Sequence, residues 1–214
     1  MASGLSAMQW NNADVDDPSA VDVDALRAWY AARSVPWGVR VPAGMPWGHG
    51  PHLFRKRLMG LSSASFVPKT AVRSVALSEA GPDDLDAVVA VDAAAFGTDP
   101  ALTRAWMAPL LGAAAAATVL LAHRGGAILG TGYALRSDGR AGPASLLAGV
   151  CAVPGADRDG IADALIAGLA RSSFDAGAQL VHVTPDDDRE ATSLNAFGFV
   201  EVDGLDVYAM DDLG

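Results

Sequence analysis

Between residues 144 and 176 the chain runs through ASLLAGVCAV, a Pro154-Gly155 break and a segment from Gly160 in which Ile161, Leu165 and Leu169 recur at helical spacing. A strand almost free of charge belongs inside a sheet, buried on both faces. A helix with one apolar stripe lies against that sheet. With the elements on either side, in the order β-α-α-β-β-β-α-β-α-β-β, this unit reads as the centre of an α/β fold around a mixed sheet.

The flanking segments fit that frame. VRSVALS reads as a strand, and GPDDLDAVVAVDAAAFG reads as a helix with Pro82 in its first turn and Leu85, Val88, Val89, Ala93 and Phe96 on its apolar positions. A second helix runs from about Pro100 to Leu111. TVLLAHR and AILGTGYALRS form a hairpin about Gly125-Gly126. After the central helix come a strand in AQLVHVTP, a short helix in DDDREATSLNAFG closed by Gly198, and two closing strands, FVEV and LDVYAM. His182 lies in an alternating apolar strand and reads as a packed histidine rather than a base.

The first 71 residues differ in composition and read as a small N-terminal extension, with the boundary before residue 72. Residues 1–75 carry eight Lys/Arg against five Asp/Glu, whereas 76–214 carry seven against twenty. Residues 1–20 read as irregular, 21–33 as a helix, and four prolines with four glycines between Val35 and Phe54 leave room for one short extended segment at Val39 to Val41. Trp37, Trp47 and Phe54 are expected to pack together or line a cleft. FRKR, Phe54 to Arg57, reads as a solvated helix face in preference to a contact for an anion or a partner of the acidic part.

Several function classes fall away. A net charge of −10 lacks the basic footprint that nucleic acid requires. No apolar run approaches the ~20 residues of a membrane span, and no signal segment leads the chain, so it reads as cytoplasmic. Cys151 has no disulfide partner, and four scattered histidines have no metal-ligand spacing, so no metal is expected. A dinucleotide-binding Rossmann domain would need a GxGxxG turn after its first strand, which is missing.

The hairpin before a central strand, the loop and helix after it, and the NAFGFVEV close resemble the GNAT acetyltransferase superfamily over residues 72–214. In that family the central strand ends Val-x-Pro and is followed by Arg/Gln-x-x-Gly-x-Gly/Ala at a helix start. Ala152-Val153-Pro154 and Asp157-Arg158-Asp159-Gly160-Ile161-Ala162 stand at these positions. The second signature, an Asn-led helix ending Leu-Tyr-x-x-x-Gly-Phe, falls on Asp187 to Phe199. The N-terminal extension is similar to a partial repeat of the kind that precedes the catalytic half in tandem members. The resemblance implies a mixed, mostly antiparallel central sheet flanked by helices, acetyl-CoA as cofactor, direct transfer to an amine of a small molecule or peptide, and the option of a homodimer through a sheet edge.

It also implies a site. Backbone N–H groups at the helix start would face the CoA pyrophosphate, with roughly half a positive charge from the helix dipole. The cofactor residues would be Val150, Cys151, Ala152 and Val153 on the strand, the loop Asp157 to Ala162, and Asp187. Asp157 replaces the family's Arg/Gln and Asp159 adds a second carboxylate; either they turn outward and leave Arg158 facing the anion, or CoA binds weakly. Both are also good helix-start residues. The family's usual general acid, a Tyr, falls on Leu194, so Ser193 and Tyr133 are the remaining candidates for proton handling. A splayed strand at Val150 to Val153 would supply proximity and a backbone N–H for the carbonyl. The acidic balance favours a cationic amine. A degenerate domain that binds ligands or partners without turnover is the alternative.

Overall fold

The computed structural model describes residues 3–6, 8–69, 75–139 and 142–210. It divides into two compact units, residues 1–58 with 201–214 and residues 59–200. The expected boundary between residues 71 and 72, and the first part of the VRSVALS strand, lie outside the described residues.

In the first unit, β1 (Asn12–Asp14) pairs in parallel with β2 (Gly38–Pro42), and β2 pairs antiparallel with β9 (Val200–Ala209). The strand β3 (His52–Ser62) follows β9 in the sheet order. Helix α1 (Val23–Ala31) is capped by Asp22, which accepts from the Ala25 N–H at 2.9 Å. Tyr30 from this helix stacks on Trp37, with ring centroids 4.2 Å apart, over Val39 and Val41.

Three expectations are corrected here. FRKR lies in β3, not on a helix, because its charges meet carboxylates on β9: Arg57 pairs with Glu201 and Arg55 with Asp206. Trp37 is buried and Trp47 packs beside it, but Phe54 is 46% exposed. FVEV and LDVYAM are one continuous strand, β9, which passes straight through Gly204. A Cβ at Gly204 would crowd Ala43 and the Lys56 carbonyl, so the glycine serves close strand approach rather than a turn.

The second unit holds the sheet order β3-β8-β7-β6-β5-β4. Its further strands are β4 (Ala76–Glu79), β5 (Ala117–Arg124), β6 (Ala127–Gly139), β7 (Gly142–Ala152) and β8 (Leu180–Val183). Neighbouring strands here run antiparallel, except that β7 and β8 are parallel. Gly125 and Gly126 turn the β5–β6 hairpin at φ +60° and +84°, as the sequence predicts. Helices α2 (Leu85–Phe96) and α3 (Pro100–Gly112) cover one face, packing Val88, Met107 and Leu111 on Val119, Leu121 and Tyr133. Helices α4 (Arg158–Asp175) and α5 (Asp188–Asn195) cover the other, where Ile161, Leu165 and Leu169 meet Ala122, Ala134, Leu147 and Val181. The predicted apolar stripe of α4 is thus the centre of this core. No helix among the described residues is long and apolar enough to cross a membrane.

Candidate functional site

The central strand β7 is broken in two ways. Opposite β6, Thr131 pairs with Cys151 and Tyr133 with Ala148, so Gly149 and Val150 together face one residue, a β-bulge. Gly149 sits at φ +61°, and a Cβ there would collide with the Tyr133 ring, so only glycine fits. On its other edge β7 pairs with β8 only from Ala144 to Leu146, although β7 continues to Ala152. The two parallel strands part there, and the edge from Leu147 onward borders a cleft instead of a strand.

That cleft is lined by Val150 from β7, by Arg158, Asp159, Ala162, Asp163 and Ile166 from α4, and by Asp187, Glu190 and Ser193 at and within α5. It encloses about 110 Å3, well below the roughly 300 Å3 at the small end of ligand pockets. A cofactor would therefore lie along it, largely open to water. Among the predicted cofactor residues the cleft gathers Val150, Arg158, Asp159, Ala162 and Asp187, together with Ser193.

The carboxylates of the loop have definite partners. Asp157 caps α4, accepting from the Gly160 N–H at 3.1 Å, and takes Arg124 at 3.3 Å. The Gly160 N–H, followed by Arg124, holds the Asp157 carboxyl below its usual range. Asp157 thus occupies the donor that an anion at this helix start would use. Asp159 is turned to Arg189, at 2.7 and 2.9 Å. Arg158 enters no ion pair among the described residues and fronts the cleft. Asp187 caps α5 by accepting from the Glu190 N–H at 2.8 Å.

Other predicted residues lie elsewhere. The Ile161 side chain is fully buried in the core, and its N–H is committed to the Asp157 carbonyl. Ala152 packs toward α4, and the Val153 N–H donates to the Leu129 carbonyl at 2.9 Å. Ser193 shares Lys69 with Asp163: Lys69 Nζ lies 2.8 Å from Asp163 and 3.3 Å from the Ser193 hydroxyl. Leu194 is completely buried. Cys151 is buried and burial, reinforced by Asp92, pushes its thiol up to about 12, so it stays protonated.

Tyr133 is on the α2/α3 face. Its hydroxyl accepts from Trp106 Nε1 at 3.3 Å, and burial raises its pKa. Beside it stands a residue that sequence reasoning missed, Asp92 on α2, 8% exposed and pushed up to about 6 by burial, against which a Thr103 hydrogen bond acts. The available signal was one carboxylate inside the apolar run AVVAVDAAAF. His182, the last β8 residue to pair with β7, lies on the face opposite Val181 and Val183; burial lowers its pKa and its Nδ1 has no hydrogen-bond partner among the described residues.

A bulged central strand, parting from a parallel neighbour beside a helix start, defines an α/β class with a cleft at the split. No family model and no curated protein matches this sequence. Solved structures do match. A GCN5-related N-acetyltransferase from Kribbella flavida is 18% identical, with a TM-score of 0.75 over 98% of this chain and 84% of its own. One from Sphaerobacter thermophilus is 16% identical, with a TM-score of 0.64 over 87% and 65%. A tandem GNAT protein from the clavulanic acid biosynthesis pathway is 12% identical, with a TM-score of 0.60 over 95% and 76%. The chain has the GNAT fold.

Proposed function

We propose that the protein is an acetyl-CoA-dependent N-acyltransferase that transfers acetyl directly to an amine of a small molecule or peptide. The observation that carries this reading is the parting of β7 from β8 after Leu146, next to the bulge at Gly149 and the start of α4. Such a split leaves strand N–H and C=O groups of β7 available to a ligand instead of to a neighbouring strand. Acetyl-CoA would supply an acetyl group activated as a thioester. Val150 and Ala162 form small walls of the cleft, and Arg158 is the cation left to meet a phosphate. Asp157 opposes that anion, so weak CoA binding is expected.

Tyr133 carries the proton. Its hydroxyl oxygen accepts from Trp106, so its own hydrogen is kept for another acceptor, and its raised pKa keeps it protonated at neutral pH. We assign Ser193 to the cleft wall, its hydroxyl tied to Lys69 and Asp163, rather than to proton donation. Use of acetyl-CoA fits a cytoplasmic location. Isothermal titration with acetyl-CoA tests the reading, together with mass detection of acetylated amines: binding with product formation supports it, and no binding at millimolar acetyl-CoA refutes it.

A second reading is favoured by the buried Leu194 at the family's acid position and by Asp157 in the helix cap. In it the domain binds ligand without turnover. Acetyl-CoA binding without acetylated product from any primary amine would select it.

A further inference from the structure

We propose that Asp92 is the acceptor-side group: its carboxylate, on the face of the sheet covered by α2 and α3, pairs with the substrate's ammonium and takes one proton from it. This rests on the acetyl-transfer reading and specifies the acceptor as a primary amine presented as a cation.

Asp92 is a buried carboxylate with no cation beside it among the described residues. Among the described residues it makes no ion pair, and Arg104, on the packed helix α3, turns instead to Asp86 at 2.5 Å. Its hydrogen-bond partner is Thr103, whose hydroxyl lies 2.8 Å from that of Thr98. Because Thr103 donates to the carboxylate, Thr98 donates to Thr103, and this relay fixes the direction in which Asp92 accepts. Burying an ionised carboxylate with one neutral donor is costly. A bound ammonium removes that cost, which a folded domain with no ligand has no reason to carry.

The surroundings suit such a ligand. Ionisable groups coupled to Asp92 among the described residues are Tyr133 from β6 and Cys151 from β7, and both are held neutral. Trp106 from α3, bonded to Tyr133, adds an aromatic surface that tolerates a cation. His182, at the end of the β7–β8 pairing, is kept neutral by burial and presents an Nδ1 that has no partner among the described residues. Cys151 stands beside the bulge, next in the chain to Val150, which lines the cleft. A carboxyl shifted to about 6 remains ionised at neutral pH and is a stronger base than an ordinary aspartate. In the step, one N–H proton of the ammonium passes to the Asp92 oxygen, and the electron pair left on nitrogen becomes free to attack the acyl carbon.

The test uses n-butylamine and spermidine as probes on the full chain. Carboxyl-carbon NMR of the wild type, assigned by its loss in Asp92→Asn, follows the titration of Asp92 with and without each amine. We expect an amine to lower the titration midpoint by about one pH unit, a tenfold change in protonation. The Asp92→Asn variant should keep its acetyl-CoA affinity within about twofold, lose roughly a hundredfold in amine acetylation, and lose the acid limb of the rate profile near pH 6. A midpoint unmoved by both amines, or a variant with unchanged rate and unchanged acid limb, overturns the proposal. If acetyl-CoA does not bind the wild type, the acetyl-transfer reading falls, and the amine-dependent titration still decides whether Asp92 is an ammonium site.

Discussion

Among the described residues each compact unit buries one aspartate, and the two are handled in opposite ways. Asp206 in the first unit is 4% exposed and accepts from Arg55 twice at 2.8 Å, from the Gly44 N–H at 2.8 Å, and lies 3.2 Å from His52. The Arg55 guanidinium holds its carboxyl well below the ordinary range. Asp92 in the second unit is buried nearly as deeply with Thr103 as its donor, and rises to about 6. A carboxylate met on all sides joins elements together. A carboxylate left short of partners is stability withheld, and such groups gather at sites of chemistry.

Stability against pH should separate the two most sharply. The folded pKa of Asp92 is raised from 3.8 to about 6, so ionisation favours the unfolded chain and stability falls as pH rises from about 4 to about 6. A rise of that size is worth about 3 kcal/mol at most. Asp92→Asn should therefore be more stable than the wild type by about 1–3 kcal/mol at pH 8 and no different at pH 4, read by thermal unfolding. Equal stability at pH 8 would mean that Asp92 has a partner in solution.

Asp206 has the reverse sign. Its folded pKa lies below 3.8, so its contribution is complete above about pH 4 and disappears only in stronger acid. Asp206→Ala should cost about 2 kcal/mol at pH 7 in urea unfolding, less than the roughly 3–5 kcal/mol of a fully buried pair because the Arg55 side chain is 56% exposed. A loss smaller than that of an ordinary surface change would erase the contrast with Asp92.

Two smaller effects sharpen the comparison at the cleft, where carboxylates cap helices instead of crossing strands. Asp157→Arg frees the Gly160 N–H and adds a cation, so acetyl-CoA should bind roughly tenfold more tightly at low salt, with the gain shrinking as salt rises and the melting temperature falling through loss of the cap. Calorimetry at two ionic strengths checks it. Ser193→Ala should alter amine acetylation by less than about twofold, because its hydroxyl serves Lys69 and Asp163. A hundredfold loss there would return the proton-donor role to Ser193.

What can be read in the sequence is whatever a local period controls. The stripe Ile161, Leu165, Leu169 places α4, and Gly125-Gly126 places the hairpin, since both depend on neighbours within a turn. FRKR defeats a local reading because the carboxylates that make it a strand, Glu201 and Asp206, are distant in sequence. The site is legible only in part for the same reason. Arg158 and Ala162 follow from a motif, whereas Gly149 acquires meaning from the Tyr133 ring and Asp92 from groups on α3, β6 and β7. An aspartate in an apolar helix run carries no local mark of what will surround it.

The pairing of β2 with β9 bears on how the molecule comes into being. Residues 59–200 form a compact unit that is uninterrupted in the chain, whereas the first unit needs residues 201–209 to complete its sheet. During synthesis β2 emerges well before β9 and waits for it, Val39 for Tyr208 and Val41 for Asp206. Domains fold as units when their last strand has emerged. The later-starting unit is therefore free to fold first, while the β2 edge that pairs with β9 stays open until residues 201–209 have emerged, an unpaired strand edge that a chaperone would cover.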